Sequence, residues 1–310
     1  MSASDFILGG VAAMGATVFT NPLDVIKTRI QLQGELARRG TYVEPYKGVA
    51  QAFYTVVKND GLLALQQGLV PSLCFRFVIN SIRIVSHPSR LGVYSIAMDN
   101  HWMHTKDGDV SYGLGLFWGA LGGVTGSFVG NPFFLIKTQL QSQTVDKIAV
   151  GRHRHSHSSM VDAIRTIFHK NGFFGLWRGS MASMYRATVA SSVQIATFGK
   201  MKSLLHDNEW ITRPTSISFC SSLFAGTFLA VASTPLDVIA TRLFNQAVDS
   251  KGRGLSYSGA LDCCLKILKS EGIYGLYKGF WANYMRVAPH TTLTLVFFDE
   301  LVHLKNLFML

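Results

Sequence analysis

Three stretches of this chain are versions of one another, and that repetition limits what it can fold into. The first carries Pro22, Asp24, Lys27 and Arg29. The second carries Pro132, Phe134, Lys137 and Gln139, and the third Pro235, Asp237, Ala240 and Arg242. The prolines fall roughly a hundred residues apart. A second motif recurs in step: Asp60-Gly61 leading to Gly68, Asn171-Gly172 to Trp177-Arg178-Gly179, and Glu271-Gly272 to Tyr277-Lys278-Gly279. Two motifs kept in one order three times predict a triplicated unit. The units run over 1–105, 106–212 and 213–310 and are expected to form one integrated domain.

Composition narrows the class. The chain is 48% hydrophobic and only 15% charged, against about 25% charged in ordinary soluble proteins. Its apolar runs are interrupted by glycine, serine and charged residues. Such interruptions are tolerated where membrane helices face each other or line a water-filled cavity. Spans are predicted near 5–33, 69–98, 112–142, 180–205, 216–246 and 280–305, each able to cross a hydrocarbon core of about 30 Å on a tilted path. Short helices are predicted near 47–59, 159–170 and 258–270. In the last, Ala260, Leu261, Cys264, Leu265 and Leu268 recur at helical spacing, as a helix lying in an interface requires. The expected fold is therefore an all-α membrane protein of six spanning helices in three repeats, each repeat with a short amphipathic helix. Small residues keep register with the prolines, Ala13, Gly123 and Gly226 among them, and predict close helix packing.

The net charge of +11 would suggest nucleic acid in a soluble protein. Here no aromatic-basic interleaving supports that partner. The basic residues concentrate instead in the long hydrophilic segments 34–67, 142–178 and 247–278, while 99–111 and 205–215 hold one each. That asymmetry places the long loops in one compartment, by the positive-inside rule. No Arg-rich leader precedes Phe6, so targeting is expected to be internal. The cysteines Cys74, Cys220, Cys263 and Cys264 have no metal or redox spacing. His153, His155 and His157 alternate in a basic loop, for which a mobile segment is expected rather than a metal site.

The prolines lie inside predicted helices, where proline costs a backbone hydrogen bond and kinks the helix. Kinks at Pro22, Pro132 and Pro235 can draw three helix ends together. Beyond each lies an acid at +2 and a base at +5, except at Phe134 and Ala240. In a threefold ring these positions pair cyclically: Asp24 with Lys137, Phe134 with Ala240, Asp237 with Lys27. One bridge has then been replaced whole. Stranding one buried charge is costly, while removing both partners need not be. Two ion pairs and one apolar contact are expected.

The motif Pro-x-acidic-x-x-basic-x-basic, followed by acidic-Gly and aromatic-basic-Gly, resembles the mitochondrial carrier family from about residue 5 to the C-terminus. The run from Phe19 to Gly34 is similar to its oxaloacetate- and dicarboxylate-carrier branch. The resemblance implies an inner-membrane, multi-pass transporter, with its termini toward the intermembrane space and its long loops in the matrix. It makes the charged ring a matrix gate, with Gln31 and Gln141 beneath it and Phe244 at the third such position. It implies a cytoplasmic gate, of which Lys202 and Asp299 remain; so reduced a gate would disfavour the state closed to the cytosol. It places substrate contacts seven residues beyond Gly68, Gly179 and Gly279, at Phe75 with adjacent Arg76, at Arg186 and at Arg286. It also implies lipid contacts at Gly48, Gly179, Gly259 and Gly279, where short-helix ends hold cardiolipin phosphates.

Arginine at bilayer depth needs a reason. Its fork suits carboxylates, and converging arginines with no acid among them imply a multivalent anion. Oxaloacetate, malate or a related ketoacid is the expected substrate, moved by alternating access, with no covalent chemistry, cofactor or metal, by a functional monomer in a cardiolipin-rich membrane. The alternatives are an uncoupler-like proton or anion leak and a transport-impaired variant. The latter arises from seven extra residues in the second span, between Arg83 and Arg90, where Pro88 interrupts the helix.

Overall fold

The computed structural model describes residues 3–38, 40–42, 44–83, 112–153, 155–207, 214–249 and 252–308. Among them six helices are fifteen residues or longer: α1 (Ala3–Leu32), α3 (Leu69–Arg83), α4 (Tyr112–Ser142), α6 (Ser180–Asp207), α7 (Pro214–Asn245) and α10 (Phe280–Phe308). Three short helices follow the odd-numbered spans: α2 (Val49–Asp60), α5 (Met160–Asn171) and α8 (Ala260–Glu271), with a one-turn α9 (Ile273–Leu276) after the last. The only pairing of extended backbone among the described residues is an isolated bridge between Val248 and Gly254. The chain is all-α. The seven-residue insertion falls outside the described residues, as do the Arg83 side chain and Arg90.

Pro22, Pro132 and Pro235 all lie inside continuous helices, as does Pro289 in α10. Threonines near two of the kinks turn their hydroxyls back onto their own helix. Thr20 Oγ1 donates to Ala16 O at 3.0 Å, and Thr234 Oγ1 to Ala230 O at 2.6 Å. Such back-bonding satisfies a hydroxyl away from water. Gly123 explains one close helix contact, because a Cβ there would stand 2.8 Å from Ser191 Oγ and 3.3 Å from the Ala187 carbonyl. At Gly226 the nearest atom would be 3.9 Å away, so that in-register glycine is not tightly required.

The distribution of polarity is inverted. Asn21, Asp24, Arg29, Gln31, Lys137 and Arg242 are buried, while Phe19, Phe117, Phe228, Met181 and Trp281 stand exposed on the outer faces of the long helices. A soluble fold has no use for that arrangement; hydrocarbon as solvent explains it. Among the described residues only two windows, Leu62–Ile79 and Phe224–Asn245, pass a simple apolar-span test.

On the short helices the inward face is narrow. In α8, Cys263 and Ile267 are buried against the core, whereas Leu261, Leu265 and Leu268 face outward. The residues just beyond Asp60-Gly61, Asn171-Gly172 and Glu271-Gly272 repeat this exposure: Leu62-Leu63, Phe173-Phe174 and Ile273-Tyr274. These outward pairs suit a membrane interface.

Candidate functional site

The ends of α1, α4 and α7 converge just past their prolines. Lys137 Nζ donates to Asp24 Oδ2 at 2.9 Å, and Lys27 Nζ to Asp237 Oδ2 at 2.8 Å. The third edge of the ring is apolar. Phe134 and Ala240 belong to one hydrophobic cluster. Phe134 stacks on Phe75 with ring centroids 4.8 Å apart and meets Phe244 edge-on at 5.0 Å.

A second layer lies one turn further along. Thr28 Oγ1 donates to Gln141 Oε1 at 3.0 Å, and Thr241 Oγ1 to Gln31 Oε1 at 2.9 Å. On the third edge the glutamine position holds Phe244. Thr138 accordingly turns its hydroxyl onto its own helix, donating to Phe134 O at 2.9 Å. The lost bridge is therefore matched by a lost brace beneath it.

These three residues rest on the glycines that close the second motif of each repeat. A Cβ at Gly279 would lie 3.1 Å from Gln31 Cγ, one at Gly68 3.0 Å from Gln141 Cγ, and one at Gly179 2.7 Å from Phe244 Cε1. All three glycines have φ between +66° and +76°, the left-handed region that disfavours other residues. Both the conformation and the close approach demand glycine. Gly279 also lines a groove of about 660 Å³ together with Gly48, Lys47, Tyr277 and Trp281. Two of the four glycines expected to contact lipid are thus brought together. Gly259 is the extended N-cap of α8, and Gly179 is a seat for Phe244.

A third layer ties each short helix to its long one. Arg29 Nη1 meets Asp60 Oδ2 at 2.5 Å, and Arg242 chelates both carboxylate oxygens of Glu271. In the second repeat both partners are neutral, Gln139 and Asn171, and Gln139 Nε2 donates instead to Phe244 O at 3.1 Å. Sequence reasoning singled out both motifs but did not join them; the joint neutralisation was the available signal. It also missed Glu35, which accepts from Tyr257 Oη at 2.8 Å and from the Arg152 amide at 2.9 Å. No repeat pattern marks that residue. Burial pulls the Glu271 carboxyl upward, but the Arg242 and Lys278 charges outweigh it and hold the group below its usual value.

Above the ring stand the arginines, and here one expectation is corrected. They were expected with no acid among them. Arg286 Nε lies 3.1 Å from Asp24 Oδ1 and Arg186 Nε 3.5 Å from Asp237 Oδ1. Each ring acid is shared between a lysine and an arginine. Arg76 is within electrostatic reach of Asp24, Lys137 and His290. Phe75 is packed against Gly130 and Phe134, only 5% exposed. Among the described residues four cations, Lys27, Lys137, Arg186 and Arg286, share the two carboxylates of Asp24 and Asp237. The side chains of Lys202 and Asp299 lie outside the described residues.

In the loop, His153 meets His155 edge-on with ring centroids 4.6 Å apart, and His155 stacks on His157 at 5.7 Å. Burial, reinforced by the neighbouring His153, pushes the His155 pKa down to about 3. Its Nε2 lies 3.1 Å from the Asn245 carbonyl. Among the described residues no group of three His, Cys, Asp or Glu side chains is placed to hold a metal ion.

A sequence profile described as mitochondrial carrier protein matches three segments, residues 2–88, 108–209 and 212–307. The chain belongs to the mitochondrial carrier family. It is a transporter of the inner mitochondrial membrane, as that family is. The carrier is 45% identical over 305 residues to solute carrier family 25 member 35 of Mus musculus, covering 97% of this chain and 98% of that one. It is 34% identical over 300 residues to the mitochondrial oxaloacetate transport protein of Saccharomyces cerevisiae, covering 96% and 89%. It is 33% identical over 291 residues to mitochondrial citrate transporter E of Aspergillus niger, covering 94% and 89%.

Proposed function

We propose that this carrier moves small carboxylates of two or more negative charges, of the oxaloacetate, malate and ketoacid class, by alternating access. The observation that carries the reading is the excess of cations around the ring. Arg186 and Arg286 both reach the two carboxylates that Lys27 and Lys137 already neutralise, with Arg76 nearby. Surplus positive charge at bilayer depth needs a counter-charge, and a multivalent anion supplies it bidentately. The names of the yeast and Aspergillus relatives, which cite oxaloacetate and citrate, favour the same chemistry.

On this reading the ring is the matrix gate. The substrate competes with Asp24 and Asp237 for Arg286 and Arg186. Binding loosens the acids from the arginines and lowers the cost of parting the ring, so opening is coupled to occupancy. Lys202 and Asp299 form the remnant of the opposite gate. The basic loops face the matrix, the termini face the intermembrane space, and the groove at Gly48 and Gly279 takes a cardiolipin phosphate at the α2 N-terminus. The carrier acts as a monomer and exchanges one anion for another.

Purified carrier in liposomes, offered labelled malate, oxaloacetate and citrate, tests the reading. Saturable uptake accelerated by internal unlabelled anion is the expected result. Ohmic conductance without exchange would replace it with a leak, and inactivity toward every anion would indicate a chain that no longer transports.

A further inference from the structure

Four replacements fall together on one side of the charged ring. In two sectors, an acid of one long helix meets a lysine of another and an arginine of a third. Asp24 meets Lys137 and Arg286; Asp237 meets Lys27 and Arg186. In the remaining sector the same register holds Phe134 for the acid, Ala240 for the lysine, Phe75 for the arginine and Phe244 for the glutamine beneath. The side chains form one apolar wall. Phe75 stacks on Phe134, Phe134 meets Phe244, and Phe134 packs against the cluster containing Ala240.

Sealing the ring requires only that Phe134 and Ala240 change together. It does not require Phe75, which stands at the level of the arginines. The wall therefore extends upward from the ring into the layer of the candidate site. Phe134 is only partly buried, and the Arg186 guanidinium lies over its ring, 5.1 Å from the centroid. An anion-binding fork is thus held beside an aromatic face, a geometry worth energy in itself when desolvated.

Resting on the reading of the arginines as an anion site, we propose that the preferred substrate pairs two acidic groups with an apolar or flat unsaturated body, and that this body lies against Phe134. Phe75 backs the ring and fixes its orientation. The acidic groups engage Arg186 and Arg286. A compact dicarboxylate uses only the charged sectors and leaves the wall uncovered, so it binds more weakly than an analogue with a hydrocarbon substituent.

Matched pairs test this on the full-length carrier: succinate against phenylsuccinate, and malonate against butylmalonate. Each is titrated into purified protein with melting as the readout, then used as a competitor of labelled malate uptake in liposomes. The substituted member is expected to act at concentrations lower by on the order of tenfold, the worth of burying a modest apolar surface. Phe134→Ala should bring the members of each pair toward parity, read as the ratio of potencies within a pair so that a change common to both members does not enter. Phe75→Leu, which keeps an apolar side chain, should weaken the preference in the same direction and serves if Phe134→Ala does not fold. Equal potency within the pairs in the unmodified carrier would overturn the proposal while leaving the anion site standing. So would a preference that persists unchanged in both variants, since the substituent would then rest elsewhere. If none of the four anions shifts melting or competes, the anion site itself falls, and the proposal with it.

Discussion

The shared acids change what an arginine substitution should do. On the proposed reading Arg286→Ala removes a substrate partner, and it also takes from Asp24 one of its two neutralising cations. Uptake is expected to be lost in Arg186→Ala and in Arg286→Ala, with protein that still purifies folded, because Lys27 and Lys137 keep the acids paired. Retained uptake in liposomes would remove that arginine from the site. For the ring itself, Asp24→Lys sets two cations together where a buried pair stood; stranding such a partner costs roughly 3–5 kcal/mol. Adding Lys137→Asp should restore part of the melting temperature and of the uptake, and strictly additive losses would refute the pairing. At this scale the sequence was informative wherever charge alternates at fixed spacing in a membrane span, as at Asp24, Lys27, Lys137 and Asp237. It was blind to Glu35 and Tyr257, whose pairing depends on how two loops fold over one another.

Among the elements, the second repeat is the exception, twice over. Its long helix α4 and its short helix α5 are joined without the ion pair that fastens Arg29 to Asp60 and Arg242 to Glu271. Gln139→Arg is expected to lower the melting temperature, because a guanidinium there is buried opposite a neutral Asn171. Adding Asn171→Glu should recover the loss, and an unchanged thermal melt in the single variant would place the two side chains apart. The same repeat carries the half-buried imidazole of His155. Its folded pKa lies near 3, below the ordinary value of about 6.5, so the unfolded chain binds the proton more readily. The stability it contributes is full above the unfolded value and drains away as pH falls from there toward 3. Melting measured across that window should fall with acid in the native carrier and fall less steeply in His155→Gln. Helix positions were readable because apolar runs, caps and prolines are local signals. The register between α4 and α5 was not, because it follows from packing.

For the whole molecule, threefold pseudosymmetry was legible from the repeats and decided the ring's cyclic order before any distance was known. What the repeats did not reveal was that the arginine layer and the acid layer interlock, since that depends on the reach of side chains between helices. Restoring symmetry is an informative perturbation. Phe134→Asp alone should impair stability, and Phe134→Asp with Ala240→Lys should recover it while slowing exchange, because a third ion pair then holds the matrix end shut. Unchanged turnover in the double variant would show that parting this ring does not limit transport. One last feature bears on how the carrier sits. The outward pairs Leu62-Leu63, Phe173-Phe174 and Ile273-Tyr274 occur once in each third of the structure. Three feet fix a plane. On the proposed reading, a body resting on such a tripod is steadied against tilting, and a gate that opens would do so by parting its helices over a fixed base.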